Sequence, residues 1–246
     1  MENGRSLKIS IGTAGWALPE AERALFDEGA SNLSRYATRF NCVEINSSFY
    51  RRHRPDTWRR WADSVPQDFR FAVKLPKTIT HVNGLADCHD LIDEFASDTR
   101  GLGDKFAVGL VQLPPKLAFD AGVAEAFFGG LRSRMSARIA CEPRHPSWFE
   151  DDATDILRSN RVARVAADPA IVPGASQPAG SLDLAYWRLH GSPRIYRSSY
   201  EPEALERYSR EMRSMMATAD VWCIFDNTAA SAATRNGLDL LSTFAP

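Results

Sequence analysis

Eight short apolar runs punctuate the chain, separated by roughly 20–40 residues, the length of one strand–helix unit. They are Lys8–Gly12, Cys42–Asn46, Phe69–Lys74, Phe106–Gln112, Arg138–Glu142, Val162–Asp168, Ala185–His190 and Val221–Asp226. Most of the segments between them carry helical spacing instead. Leu33, Tyr36, Ala37 and Phe40 fall at i, i+3, i+4 and i+7, as do Trp58, Trp61, Ala62 and Val65, each set forming one apolar stripe. The second helix is expected to start at Pro55 and stop at Pro66. Leu91, Ile92, Phe95 and Leu102 mark a third, and Val123, Ala126, Phe127 and Leu131 a fourth. Ile156 and Leu157 suggest a fifth, and Leu205, Tyr208, Met212, Met215 and Met216 a longer, later one. Residues 169–183 are rich in Pro, Gly, Ala and Ser without a stripe, and read as a loop in place of a full helix between strands six and seven. Strands alternating with helices predict an α/β protein, a single (β/α)8 TIM-type barrel over residues 1–246. A doubly wound sheet would want a Gly-rich phosphate fingerprint after its first strand, and Gly12-Thr13-Ala14-Gly15-Trp16 does not match it.

The ends of the strands carry the chemistry. Lys74-Leu75-Pro76, Gln112-Leu113-Pro114, Glu142-Pro143, Asp168-Pro169 and His190-Gly191-Ser192-Pro193 each place a proline within three residues of a polar strand end. Proline has no N–H for the ladder, so it stops the strand there. In parallel barrels the C-terminal strand ends form the active site. Alternate strand residues share a face, which groups Glu44 with Asn46, Ala72 with Lys74, Glu142 with Arg144, Ala166 with Asp168, and Tyr186 and Arg188 with His190. The expected result is an inward ring of Glu44, Asn46, Lys74, Gln112, Glu142, Arg144, Asp168, Arg188, His190 and Asp226. Glu44 with Lys74, Arg144 with Asp168 and Arg188 with Asp226 are candidate pairs. The ring could be a self-satisfied salt-bridge network, but burying that many charges costs several kcal/mol per ion, so a solvated, ligand-accepting mouth is the expectation. His81, His145, Tyr50, Tyr196 and Tyr200 are further candidates to line it, against ordinary loop packing. His53 and His89 read as surface residues.

Hydrophobic content of 44% and charged content of 25% are ordinary for a globular protein, and the net charge of −1 gives no general attraction to nucleic acid or membrane. No apolar run approaches the ~18 residues of a membrane span, and Met1–Ser10 does not resemble a signal peptide. Cys42, Cys88, Cys141 and Cys223 have neither metal-ligand spacing nor disulfide density, so a reducing cytoplasm is expected.

The motifs resemble those of the YecE-like family, a bacterial and archaeal group of unknown function. The similar runs are Ile11-Gly12-Thr13-Ala14-Gly15-Trp16, Phe40 to Tyr50, Phe69 to Lys74, Thr80-His81, Gln112 to Pro115, Glu142 to Trp148 and Tyr186 to Gly191. The resemblance implies a TIM barrel with distant kinship to sugar isomerases and metal-dependent endonucleases. Two departures stand out: the segment after Trp16 is short and lacks an aromatic-rich stretch, and Asp226 stands where the family motif usually carries asparagine, so it could pair with Arg188.

Taken together, the residues predict an enzyme acting by acid–base chemistry on a small anionic molecule, such as a phosphorylated or carboxylated sugar derivative. Glu44 or Glu142 would be the general base and His190 the partner acid. Lys74, Arg144 and Arg188 would hold the anion; Asn46, Tyr50, His81, Gln112, His145, Asp168, Tyr196, Asp226 and Asn227 would complete the binding site. The alternatives are a non-catalytic module for an anionic ligand or nucleic acid, and a metal-dependent isomerase or hydrolase using Glu142, Asp168, His190 and Asp226. Arg144 and Arg188 in the same ring weigh against a divalent metal.

Overall fold

A computed structural model describes residues 9–244, so Lys8, the first residue of the first expected strand, lies outside the described residues. The strands are β1 Ile9–Thr13, β2 Cys42–Ile45, β3 Arg70–Lys74, β4 Phe106–Gln112, β5 Arg138–Glu142, β6 Val162–Arg164, β7 Ala166–Asp168, β8 Ala179–Gly180, β9 Leu184–Leu189 and β10 Asp220–Phe225. The expected sixth strand is therefore two short ones, β6 and β7, interrupted at Val165. The helices are α1 Asn32–Tyr36, α2 Ser47–Tyr50, α3 Pro55–Asp63, α4 His89–Thr99, α5 Ala121–Arg134, α6 Asp151–Ser159, α7 Pro202–Met215 and α8 Ala232–Ser242. Proline opens α3 and α7, where its missing N–H costs nothing. The Asp120 side chain accepts from Val123 N–H (2.9 Å) to cap α5.

The fold is a TIM-type α/β barrel, with its parallel strands in two hydrogen-bonded ladders. One runs β2-β3-β4-β5-β6 and the other β1-β10-β9-β7. They meet at two seams. At the first, the chain passes through Val165, whose N–H donates to Cys141 O (2.8 Å), and Ala166 then pairs with Trp187 on the other ladder. At the second, Ala14 bridges Glu44, and Gly15 N–H donates to Glu44 O (2.8 Å). Gly12 is required at this second seam: a Cβ there would lie 2.2 Å from the Cys42 carbonyl oxygen.

Residues 169–183 form no full helix, as expected, only a 3-10 turn at Pro173–Ser176 and the two-residue β8. Strand β8 runs antiparallel to β6, with Ala163 opposite Gly180, and Ser181 N–H donates to Val162 O (2.9 Å). Because β9 pairs only from Ala166 onward, the edge of β6 would otherwise leave main-chain groups unpaired.

The barrel interior is filled by Cys42, Ala72, Val108, Leu110, Ala140, Ala163, Val165, Leu184, Tyr186, Trp222 and Ile224. Small residues on β2, β3, β5 and β6 make room for Tyr186 and Trp222, whose rings stack 5.9 Å apart. Two residues further along the same inward faces come Glu44, Lys74, Gln112, Glu142, Arg188 and Asp226. The apolar plug thus becomes a polar layer at the C-terminal strand ends. The parity of β7 corrects one expectation. Val165 belongs to the interior and Ala166 packs outside, with Trp187 and Leu189, so Asp168 turns toward the helices. Its carboxylate accepts from Tyr200 Oη (2.7 Å) instead of joining Arg144.

Candidate active site at the barrel mouth

Arg188 is the hub of the polar layer. It extends inward from β9 and is 1% exposed. Its Nε donates to Glu44 Oε2 (3.0 Å) and its Nη2 to Glu44 Oε1 (2.6 Å), a two-pronged pair across the barrel. Its Nη2 also reaches Asp226 Oδ2 (3.0 Å), and its Nη1 donates to Glu142 Oε2. Tyr186, one turn of the pleat below, donates its hydroxyl to Glu44 Oε2 (2.9 Å). Three carboxylates therefore converge on one guanidinium. The pair Arg188–Asp226 forms as its sequence positions suggested; Glu44 pairs with Arg188 and not with Lys74.

His190 sits beside this hub, 2% exposed. Its Nδ1 lies 3.0 Å from Asp226 Oδ2, and its Nε2 lies 3.2 Å from Glu142 Oε1 and 3.1 Å from Arg144 Nη2. Arg144 Nε also donates to Glu142 Oε1 (2.6 Å). Gly191 makes the turn that follows: its φ is +92°, and a Cβ would meet Ser198 O at 2.8 Å. The Tyr196 ring stands edge-on to the His190 imidazole at 5.7 Å and is 43% exposed, forming an outer wall.

Burial by itself would raise Glu142, but Arg188, His190 and Arg144 together hold it well below the ordinary carboxylate range. Asp226 is lowered for the same reason, with Arg188 and the His190 hydrogen bond outweighing burial. For His190 burial opposes the charged form, yet Glu142 and the hydrogen bond to Asp226 prevail and its pKa is raised. Burial and the neighbouring Glu44 push Tyr186 well above its usual range, so it stays a donor. Lys74 behaves in the opposite sense: burial and the nearby Arg188 bring it down to about 8 despite the surrounding carboxylates.

Lys74 is positioned by elements too short to register as a periodic stripe. The Ser48 hydroxyl on α2 lies 2.7 Å from Lys74 O and 3.1 Å from Ile45 O, fixing α2 across the end of β3. That places the Phe49 ring under the ammonium, 4.1 Å from Nζ to centroid. A wide turn at Thr78–Val82, closed by Asn83 N–H to Thr78 O (2.9 Å), brings His81 edge-on to the same ring at 4.9 Å. Burial and Lys74 keep His81 below its usual pKa.

The structure thus brings Glu44, Glu142, Arg144, Arg188, His190 and Asp226 into one network, with Lys74, His81 and Tyr196 beside it. The other expected site residues have local partners. Gln112 Nε2 donates to Leu113 O (2.7 Å). His145 Nδ1 contacts Ser147 and caps the turn at Pro146–Phe149, while Trp148 packs against Phe119 and Phe128 and not against His145. Asn227 Nδ2 donates to Ser198 O and Asn236 Oδ1. Asn46 starts α2 with its Oδ1 buried and unpaired, and Tyr50 is 74% exposed on Phe49. His53, expected on the surface, is half-buried between Trp58 and Trp61. Phe49 and Tyr186 are not among the site residues expected from the sequence. Tyr186 was within reach, since it shares a strand face with Arg188.

Among the described residues, no group of three or more His, Cys, Asp or Glu side chains is arranged to hold a metal ion. Of the carboxylates that would ligate a divalent cation, Glu142 and Asp226 meet the Arg188 guanidinium, which already supplies the positive charge, and Asp168 meets Tyr200.

Residues 10–245 match the family described as "Protein of unknown function DUF72". The chain belongs to the DUF72 family. It is 34% identical over 142 residues to the UPF0759 protein YecE of Escherichia coli K12, a match covering 57% of this chain and 50% of YecE. The chain thus spans half the length of that curated relative. It is 24% identical over 267 residues to the UPF0759 protein YunF of Bacillus subtilis, covering 95% of this chain and 93% of YunF. The crystal structure of the DUF72 protein TM1631 from Thermotoga maritima superposes with a TM-score of 0.79 at 22% identity, covering 96% of this chain and 99% of that one. That likeness bears on the fold alone.

Proposed function

We propose that this chain is an enzyme that moves a proton on a small anionic substrate, such as a phosphorylated or carboxylated sugar derivative, at the barrel mouth. The observation that carries the reading is the seating of His190. With Nδ1–H donated to Asp226, a neutral imidazole keeps a lone pair on Nε2, which accepts from Arg144. Once protonated, the same nitrogen donates to Glu142. Both proton states have a partner in place, so the ring can take or give a proton without reorganising. Asp226 orients the ring. Glu142, held well below its usual range by its cations, is a poor base and serves to stabilise the imidazolium. Glu44 and Arg188 form the support beneath, and Arg144, with a side chain 21% exposed, is the cation offered to the substrate's anionic group. The reducing environment that four buried free cysteines suit makes the cytoplasm our assignment of its location. No helix among the described residues is long and apolar enough to cross a membrane.

The test is solvent-isotope exchange. The protein is incubated in D2O with a panel of sugar phosphates and small hydroxy and oxo acids, and loss of carbon-bound protons is followed by NMR. At least one compound should exchange above the protein-free rate, and His190→Gln should slow it by roughly 10²–10⁴-fold. A panel that never exchanges, or a variant as fast as wild type, would sink the assignment.

A further inference from the structure

We propose that Lys74 is a covalent catalytic residue, forming a Schiff base with the carbonyl carbon of a small aldehyde or ketone that carries an anionic group. The proposal rests on the acid–base reading of the mouth and adds to it a substrate class and a bond.

The distribution of partners sets Lys74 apart. Arg188 is held by three carboxylates and Arg144 by Glu142. Among the described residues Lys74 Nζ has no hydrogen bond and no ion pair, only the face of Phe49 at 4.1 Å. Its backbone is fixed all the same, through the Ser48 hydroxyl on its carbonyl. It lies on the inward face of β3, two residues beyond Ala72, the register partner of Glu44. A structural lysine in a layer with this many carboxylates would be expected to take one of them. This one is placed, sheltered and left unengaged. The shelter also favours the uncharged amine, the form that can attack a carbonyl, since burial and Arg188 bring its pKa to about 8.

The step balances without any further reagent. The Lys74 nitrogen lone pair adds to the carbonyl carbon, the carbonyl π pair moves to oxygen, and that oxygen takes up the proton the nitrogen releases. The carbinolamine hydroxyl then takes a second proton from solvent and departs as water, leaving a C=N+ iminium. Glu44, Glu142 and Asp226, which favour a cation at Lys74, favour the iminium in the same way. The iminium draws electrons from the adjacent carbon, which acidifies the C–H bond that His190 would deprotonate. Return of that proton to carbon and addition of water release the carbonyl compound, and loss of one proton to solvent restores the amine.

Reductive trapping tests the proposal. The full chain is treated with sodium cyanoborohydride and, separately, pyruvate, glyceraldehyde 3-phosphate or dihydroxyacetone phosphate. Adducts are read by intact mass and located by peptide mapping. At neutral pH an ordinary lysine, with a pKa near ~10.4, has on the order of a hundredfold less free amine than Lys74, so Lys74 should be labelled at least roughly tenfold faster than the exposed Lys77 and Lys116. Labelling should rise with pH through about 8 and should vanish from this position in Lys74→Met, with circular dichroism confirming its fold. His190→Gln should still be trapped, which separates the two readings. Deuterium exchange without trapping would overturn the role of Lys74 and leave the acid–base reading intact. Trapping without exchange would do the reverse. A wild-type protein in which every probe labels Lys77 or Lys116 as fast as Lys74 overturns the Schiff base.

Discussion

The floor and the rim of the barrel mouth hold the same kinds of side chain in opposite conditions. In the floor, Glu44, Tyr186 and Arg188 are at most 1% exposed, and every guanidinium nitrogen of Arg188 meets a carboxylate. Above them, Arg144 is partly exposed, the Lys74 ammonium has among the described residues no hydrogen bond or ion pair but the face of Phe49, and His190, though buried, has a partner for either proton state. A buried charge with all its valences met is architecture, because moving it would strand its partners in a low dielectric. A charge left short of partners is available to a ligand.

The largest effect that can break this comparison comes from Arg188→Met. It leaves three carboxylates without their shared cation, and breaking such a buried set should cost about 3–5 kcal/mol in urea unfolding. If Arg144→Met costs as much, the floor and the rim are not distinct. Next comes Lys74→Met, which should stabilise the protein. The native pKa of about 8 lies below the ~10.4 of an unfolded lysine, so the folded state binds fewer protons between those values. Stability contributed at Lys74 therefore rises with pH across that window, and below it the lysine carries a cost. Removing it should add on the order of 2 kcal/mol at pH 7, a gain absent above pH ~10.4.

A smaller effect sits on His190. Its folded pKa is raised above the ordinary ~6.5, so its contribution is fully present below ~6.5 and lost as pH rises through the folded value. Glu142 acts at the other end: its contribution is present above ~4.3 and lost as pH falls through its lowered value. Thermal melts should show wild type ahead of His190→Gln below pH ~6.5, with the gap closing as pH rises through the raised folded value; a gap that does not change with pH would mean that folding leaves the proton affinity of His190 unchanged. The smallest stability effect belongs to Arg144→Met, within about 1 kcal/mol, while anion affinity measured by calorimetry should fall roughly tenfold or more.

The strand runs, the proline stops and the inward faces of Glu44, Glu142 and Arg188 could all be read from the chain, because each run is unbroken up to a polar end and alternate residues share a face. Asp168 was misplaced because Val162-Ala163-Arg164-Val165-Ala166-Ala167 has no such alternation; apolar residues stand on both faces, and the ladder changes partner at Val165. Arg188 with Asp226 could be read from neighbouring strands, but the cation that Glu44 meets could not. Glu44 meets Arg188 across the barrel, 144 positions away, a distance that no local pattern encodes. The α2 turn and the wide turn at Thr78–Val82 are single turns, too short to show a period, and they are what bring Phe49 and His81 to Lys74.

The two-ladder construction has a mechanical side. Glu44, Lys74, Glu142 and Arg144 belong to the β2–β6 ladder or its loops, whereas Arg188, His190 and Asp226 belong to the ladder of β1, β10, β9 and β7. The contacts of Arg188 with Glu44, of Arg188 and His190 with Glu142, and of Arg144 with His190 all cross from one ladder to the other. The polar layer acts as a rivet between two curved plates that are also joined by the seams, the apolar interior and the Arg138–Asp220 pair at the opposite strand ends. Glu44 holds twice, through its main chain at the Ala14 seam and through its side chain on Arg188. A ligand that rearranged these contacts would change how tightly the cylinder is clamped, and the amides of Gly15 and Val165 would register it as altered hydrogen exchange.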